Sequence, residues 1–252
     1  MTAFTSKFSE NQYLSATLNR FPLMGQILAE TMPKLTLAAA SHAGFSAVLT
    51  ELTAVEAAWS AGEMVLSLAE ATLPAMTLGF NDKMASLTRQ PDINTPSPME
   101  SWALVIRSVV AFSGPVYKHL LPQGRRTLRV GTRTQQLEAG HAFALRLAEQ
   151  TAYPALVTLA ATVSAFYNQA QTLRNAQIAA KVALDNARTD QERRRIAAAE
   201  VLYQMVGVGM SIYYKTPKLV DTLITLHLLR RRPPKRRKAL APVVVGEEGE
   251  GG

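Results

Sequence analysis

The chain has 252 residues, of which 48% are hydrophobic and 18% are charged, so it is long and apolar enough to fold around a sizeable core. It contains no cysteine, which excludes disulfide bonds, thiolate metal ligands and a cysteine nucleophile. Its 38 alanines and its 7% of aromatic residues favour closely packed helices over sheets.

Half of the net charge lies at the C-terminal end. The formal net charge is +8, and residues 230–252 contribute +4 of it, from seven Lys or Arg and three Glu. Prolines within the sequence RRRPPKRRK disfavour a helix, so we predict a flexible tail over 231–252 that is basic first and acidic afterwards. Such closely spaced cations can bind nucleic acid or an anionic surface, and the candidate residues are Arg230, Arg231, Arg232, Lys235, Arg236, Arg237 and Lys238.

No sequence signal indicates export or membrane insertion. The first residues are not followed by the apolar stretch that a signal peptide requires. The longest uncharged run, residues 150–173, contains a proline and several amide side chains, and it is too polar for a bilayer span. We therefore expect a cytoplasmic protein.

Apolar residues recur in alternating steps of three and four, the spacing of helices packed side by side. The longest series run from Phe45 to Phe80 and from Leu156 to Ala187, and only Gln177 interrupts the second. Pro74 falls within the first series, whose phase continues beyond it and indicates a kink. Capping patterns and prolines divide the chain into predicted helices near residues 9–31, 34–72, 75–89, 98–121, 125–152, 154–188, 190–214 and 217–230.

These elements predict an all-α fold: an elongated antiparallel bundle of six to eight helices with long coiled-coil-like seams and a disordered C-terminal tail. Tight turns predicted at 122–124 and 188–190 would make their flanking helices antiparallel neighbours. We expect one domain over residues 1–230. Residues 34–122 and 125–217 follow a similar order of long seam, turn and shorter helix; a weak internal duplication is one interpretation, and the general likeness of amphipathic helix pairs is the other.

No pattern of catalytic or ligand-binding residues stands out. Glu138 and His141 form one E-x-x-H pair, whereas a di-iron bundle needs two such pairs and further glutamates. The sequence contains neither a phosphate-binding glycine loop nor a G-x-S-x-G elbow. We therefore predict no catalytic, metal or cofactor residue, expect no cofactor and no small-molecule substrate, and favour a protein that is not an enzyme.

The hypothesis that fits best is a structural or assembly protein, a self-associating helical scaffold that forms homo-oligomers. Large aromatic side chains are candidate oligomer contacts, namely Trp59, Trp102, Tyr213 and Tyr214. One alternative is a nucleic-acid-binding helical module that uses the basic tail. A further alternative is a membrane-active bundle that hides the uncharged segments 35–50 and 201–214 until it meets a bilayer.

Overall fold

The computed structural model describes residues 11–18, 20–112 and 114–229, except for the side chains of residues 226 and 227. Within these ranges the chain is all-α, as predicted, and its extended pairing is limited to an isolated bridge between Asp92 and Thr95. Seven of the α-helices in the described ranges have six residues or more, which falls within the predicted number. The predicted tail, with Arg230 before it, lies outside the described residues.

The helices are named in chain order. They are α1 (Gln12–Thr17), α2 (Phe21–Ser41), α3 (Ser46–Ser86), α4 (Pro98–Val109), α5 (Pro115–Leu120), α6 (Arg133–Ala148), α7 (Pro154–Ile212), α8 (Val220–Leu223) and α9 (Leu226–Leu229). Short 3₁₀ turns at Ala43–Phe45, Gly124–Leu128 and Pro217–Leu219 connect some of them.

Local capping explains where α4 begins. The Ser97 hydroxyl accepts a hydrogen bond from the backbone N–H of Glu100 (3.4 Å), and the Glu100 carboxylate accepts one from the backbone N–H of Ser97 (3.1 Å). Pro98 occupies the first helical position, where its missing N–H removes no intrahelical bond. The predicted capping box is therefore confirmed.

One predicted turn is wrong, because a long helix continues through it. Helix α7 passes through the predicted turn at 188–190 as a single helix of 59 residues. A local capping signal predicted an end at 188–190, but buried residues on both sides, such as Leu184 and Ala198, keep α7 packed.

The predicted helices 34–72 and 75–89 are joined in α3, which contains Pro74 in its interior, in agreement with the apolar phase that continues beyond this proline. The predicted helix over 34–72 is interrupted instead, since α2 runs through Pro33 and stops at Ser41, His42 is extended, and α3 begins at Ser46.

The described residues divide into two compact units: residues 11–60 with 192–229, and residues 61–191. Both long helices contribute residues to each unit. This division tests neither the predicted single domain nor the internal duplication, and both stay predictions.

In the first unit, Arg195 of α7 anchors α1. Its side chain is only 4% exposed, and one guanidinium nitrogen donates to the backbone oxygen of Leu14 (2.8 Å) and to the hydroxyl of Thr17 (3.0 Å). The same guanidinium binds Glu192 (2.7 Å). A buried cation needs such a full set of partners, so this cluster fixes α1 on α7.

In the second unit, aromatic side chains from α4, α6 and α7 meet in one core. The ring centroid of Trp102 lies 6.5 Å or less from the ring centroids of Phe143, Phe166 and Tyr167. Gly140 of α6 lies against the Tyr167 ring so closely that a Cβ atom at this position would overlap it. The glycine is therefore required by the close approach of α6 to α7.

Candidate self-association surface

Within the second unit, α3 and α7 pack antiparallel. Three side-chain contacts join them, and residue numbers fall along α7 as they rise along α3: Glu70 with Arg188 (3.4 Å), Thr77 with Gln177 (2.9 Å) and Lys83 with Gln169 (2.7 Å). Partial burial at the last contact lowers the pKa of Lys83, whose ammonium lies 4.2 Å from the centroid of the Phe166 ring. The predicted antiparallel packing of long helices is thus confirmed for this unit.

The seam between these helices follows the predicted alternation of three and four residues. Helix α3 buries Gly62, Leu66, Ala69 and Phe80, and α7 buries Ala170, Ala180, Leu184 and Ala187. Gln177, the residue that interrupts the apolar series, lies in this seam, half-buried, and its amide nitrogen donates to the Thr77 hydroxyl. The exception in the sequence is therefore a polar pair between the two helices.

Charges of opposite sign line the edge of the seam. Glu63 and Glu70 are seven residues apart on α3, and the cations of α7 recur at the same interval, at Arg174, Lys181 and Arg188. The Glu70–Arg188 pair is about half exposed, so it contributes little to stability. Its effect is on orientation, because an acidic helix edge favours a basic one beside it.

Helix α3 has a second apolar face, opposite the seam, which we call the outer stripe. It consists of Ala61, Met64, Leu68, Ala71, Ala75 and Leu78, all exposed and again spaced by three and four residues. The three large side chains are 75%, 70% and 62% exposed in chain order. Between residues 61 and 81 the only charged residues are Glu63 and Glu70, which lie at the seam edge. A helix that is apolar on two sides leaves one of them in water unless a further element covers it.

The four aromatic residues predicted as oligomer contacts lie in different environments. Trp59 and Trp102 are buried in the cores of the first and second units, respectively. Tyr213 is half-buried, with its ring centroid 5.1 Å from that of His42, whereas Tyr214 is 68% exposed. Their oligomer role stays a prediction, and the structure brings none of them to the outer stripe. The stripe is visible in the sequence as a second series of apolar residues on the same helix, but the seam series on which the prediction was based does not contain it.

The described residues show no assembled catalytic or metal-binding site. No three His, Asp or Glu side chains among them come together as ligands for a metal ion. Glu138 is exposed, and the His141 ring lies 5.9 Å from that of Tyr167. A cleft of about 320 Å³ in the first unit is lined by Lys34, Leu37, Ala38, Ser41, Tyr213, Thr222 and Leu223, a set without a carboxylate or an imidazole.

The structure bears differently on the two alternatives that involve nucleic acid and membranes. All seven basic tail residues, 230–232 and 235–238, lie outside the described residues. In the part of the chain that is described, no helix combines the length and the apolar character needed to cross a bilayer.

Comparison with known proteins gives no functional assignment. No protein-family model matches the chain, and no curated protein and no solved structure is similar to it. The candidate surface is therefore defined by the geometry and chemistry of this chain alone.

Proposed function

We propose that this protein is a structural or assembly protein whose copies associate through the outer stripe of α3. The observation that carries the proposal is the stripe itself, a second apolar face of six residues on a helix whose first apolar face is already buried. Exposed apolar surface of this kind, without charges among it, is typical of protein contact sites. The proposed partner is a second copy of the chain.

The pattern of side-chain sizes along the stripe supports a copy of itself as the partner. Two antiparallel stripes related by a two-fold axis between residues 69 and 70 form layers that each join one alanine and one large side chain. The layers are Ala61 with Leu78, Met64 with Ala75 and Leu68 with Ala71, each formed twice. Large residues opposite small ones interdigitate without voids, as close packing requires.

Electrostatics supports the same arrangement. The positions that flank the stripe are neutral, and they include Ser67, Thr72 and Gly79. Over residues 61–78 two stripes can therefore meet without removing an ionised group from water, which would oppose association strongly; the exposed Asp82, the next position in the spacing, marks the end of the apolar face. The acids at the seam edge, Glu63 and Glu70, lie on another side of the helix.

Cysteine crosslinking tests both the association and its direction, since the chain has no native cysteine. A mixture of Met64→Cys and Ala75→Cys chains should form a mixed disulfide much faster than either variant forms a homodimer. In the antiparallel layers residue 64 lies opposite residue 75, whereas the two copies of residue 64 are about 16 Å apart along the helix axis.

The control is Ala183→Cys, an exposed position on α7 outside the stripe. Crosslinking of the mixture no faster than that of the control contradicts the proposed surface. Faster crosslinking of Met64→Cys with itself than with Ala75→Cys retains the surface but refutes the antiparallel layers.

A further inference from the structure

A second surface, independent of the outer stripe, lies between α5 and α6. Residues 101–137 contain six Lys or Arg and no Asp or Glu. Four of these cations are arginines within residues 124–133, which we call the arginine loop: Arg125, Arg126, Arg129 and Arg133. Arginine dominates where planar, bidentate contact with phosphate is needed, because its guanidinium presents two parallel N–H groups.

A buried amide holds the arginine loop in one conformation. Gln136, which is 5% exposed, donates to the backbone oxygens of Arg129 (2.7 Å) and Gly131 (3.3 Å) and accepts from the Arg133 guanidinium (2.9 Å). The backbone N–H groups of Arg129 and of the next residue both donate to the carbonyl of Arg126. Gly131 has a φ of 106°, which other residues rarely adopt. These bonds bring three arginines into one fixed turn.

The positive charge of the loop is only partly balanced within the chain. Glu100 lies close enough to Arg125 for the two charges to interact, but the Glu100 carboxylate is already bound to the backbone of Ser97. Arg126 and Arg129 are exposed, and neither forms an ion pair with a carboxylate in the described part of the chain. A rigid loop that presents unpaired guanidinium groups is suited to binding an anion with several charges.

We propose that the arginine loop binds the phosphate backbone of a nucleic-acid duplex without reading its sequence. A duplex presents regularly spaced phosphates, and contacts to them supply affinity but no base specificity. The loop contains no aromatic side chain on which the bases of a single strand would stack. Its one exposed large apolar residue is Val130, whereas an amphipathic membrane-binding element presents a whole apolar face.

The test uses the full chain and a short DNA duplex of random sequence, with binding followed by fluorescence anisotropy over a range of salt concentrations. The variant is Arg126→Gln/Arg129→Gln, which leaves the Gln136 contacts in place. The control is Lys181→Gln/Lys218→Gln, which removes the same charge at exposed positions outside the loop. The basic tail is present in all three proteins and contributes equally to each.

The loop variant should bind the duplex more weakly than the control, and the slope of log K against log salt should fall by about two, because two phosphates are no longer neutralised. Circular dichroism of the loop variant should match that of the unmodified chain. Equal affinity and slope for the loop variant and the control overturn the proposal, as does an unmodified chain that does not bind the duplex. A loop variant that loses binding to phosphatidylserine vesicles but not to DNA also overturns it and assigns the loop to a membrane surface.

Discussion

Truncation of Leu68 is the most direct perturbation of the proposed association. Leu68 is 70% exposed in the single chain and lies next to the two-fold axis of the proposed layers, opposite Ala71. Complete burial of a leucine side chain is worth about 2 kcal/mol, so the newly buried part is worth about 1.5 kcal/mol in each copy. Each dimer loses this twice, and Leu68→Ala should therefore weaken the dimer by about 3 kcal/mol, or about 100-fold in Kd.

Sedimentation equilibrium of the unmodified chain and of the Leu68→Ala variant, over a wide concentration range, measures this change in Kd. The control is Leu104→Ala, which truncates a leucine of α4 that is 58% exposed and lies off the stripe. The free energy of unfolding of the monomer should stay within about 0.5 kcal/mol for both variants, because both side chains lie on the surface. Equal dissociation constants for Leu68→Ala and Leu104→Ala would refute the assignment of the outer stripe as the contact.

Two further predictions concern stability. Gly140→Ala should lower the free energy of unfolding by about 3 kcal/mol, measured by urea denaturation, because the added methyl group overlaps the Tyr167 ring; a change below about 1 kcal/mol would show that the helices separate easily. The hydrogen bond from Arg195 is the main cause that lowers the pKa of Glu192 below its ordinary value of 4.5. The ionised carboxylate therefore stabilises the fold at neutral pH, and this contribution is lost as the pH falls through the lowered pKa. Glu192→Gln should therefore flatten the dependence of unfolding free energy on pH below about 4.5. An unchanged dependence in this pH range would refute the assigned role of Glu192.

Much of the fold was predictable because burial repeats at the helical period. Most members of the seam series that begin at Phe45 and at Leu156 are buried, and the others are half-buried. Helix ends were less predictable where local signals conflicted with packing. The capping pattern at Thr189 lies inside α7, because a buried seam on both sides stabilises a continuous helix more than a cap stabilises an end.

The candidate surfaces were harder to predict for different reasons. The outer stripe has the same spacing as the seam, so its periodicity is no guide to which of the two faces is buried. The arginine loop was visible as a cluster of charges, but its fixed shape depends on the burial of Gln136, a residue that the sequence does not distinguish from an exposed amide. Exposure, and not residue type, separates these sites from ordinary helix surfaces.

The hydrogen bond between Thr77 and Gln177 has a consequence for the stagger between α3 and α7. Apolar heptads tolerate a shift by one repeat, because one leucine or alanine replaces another along the interface. A shift of seven residues would move Gln177 from Thr77 to Met84 in one direction, leaving its amide facing a thioether at a cost of about 1–3 kcal/mol. The hydrogen bond of 2.9 Å therefore opposes a shift in that direction, whereas a shift in the other direction would place Gln177 opposite the carboxylate of Glu70, which accepts hydrogen bonds.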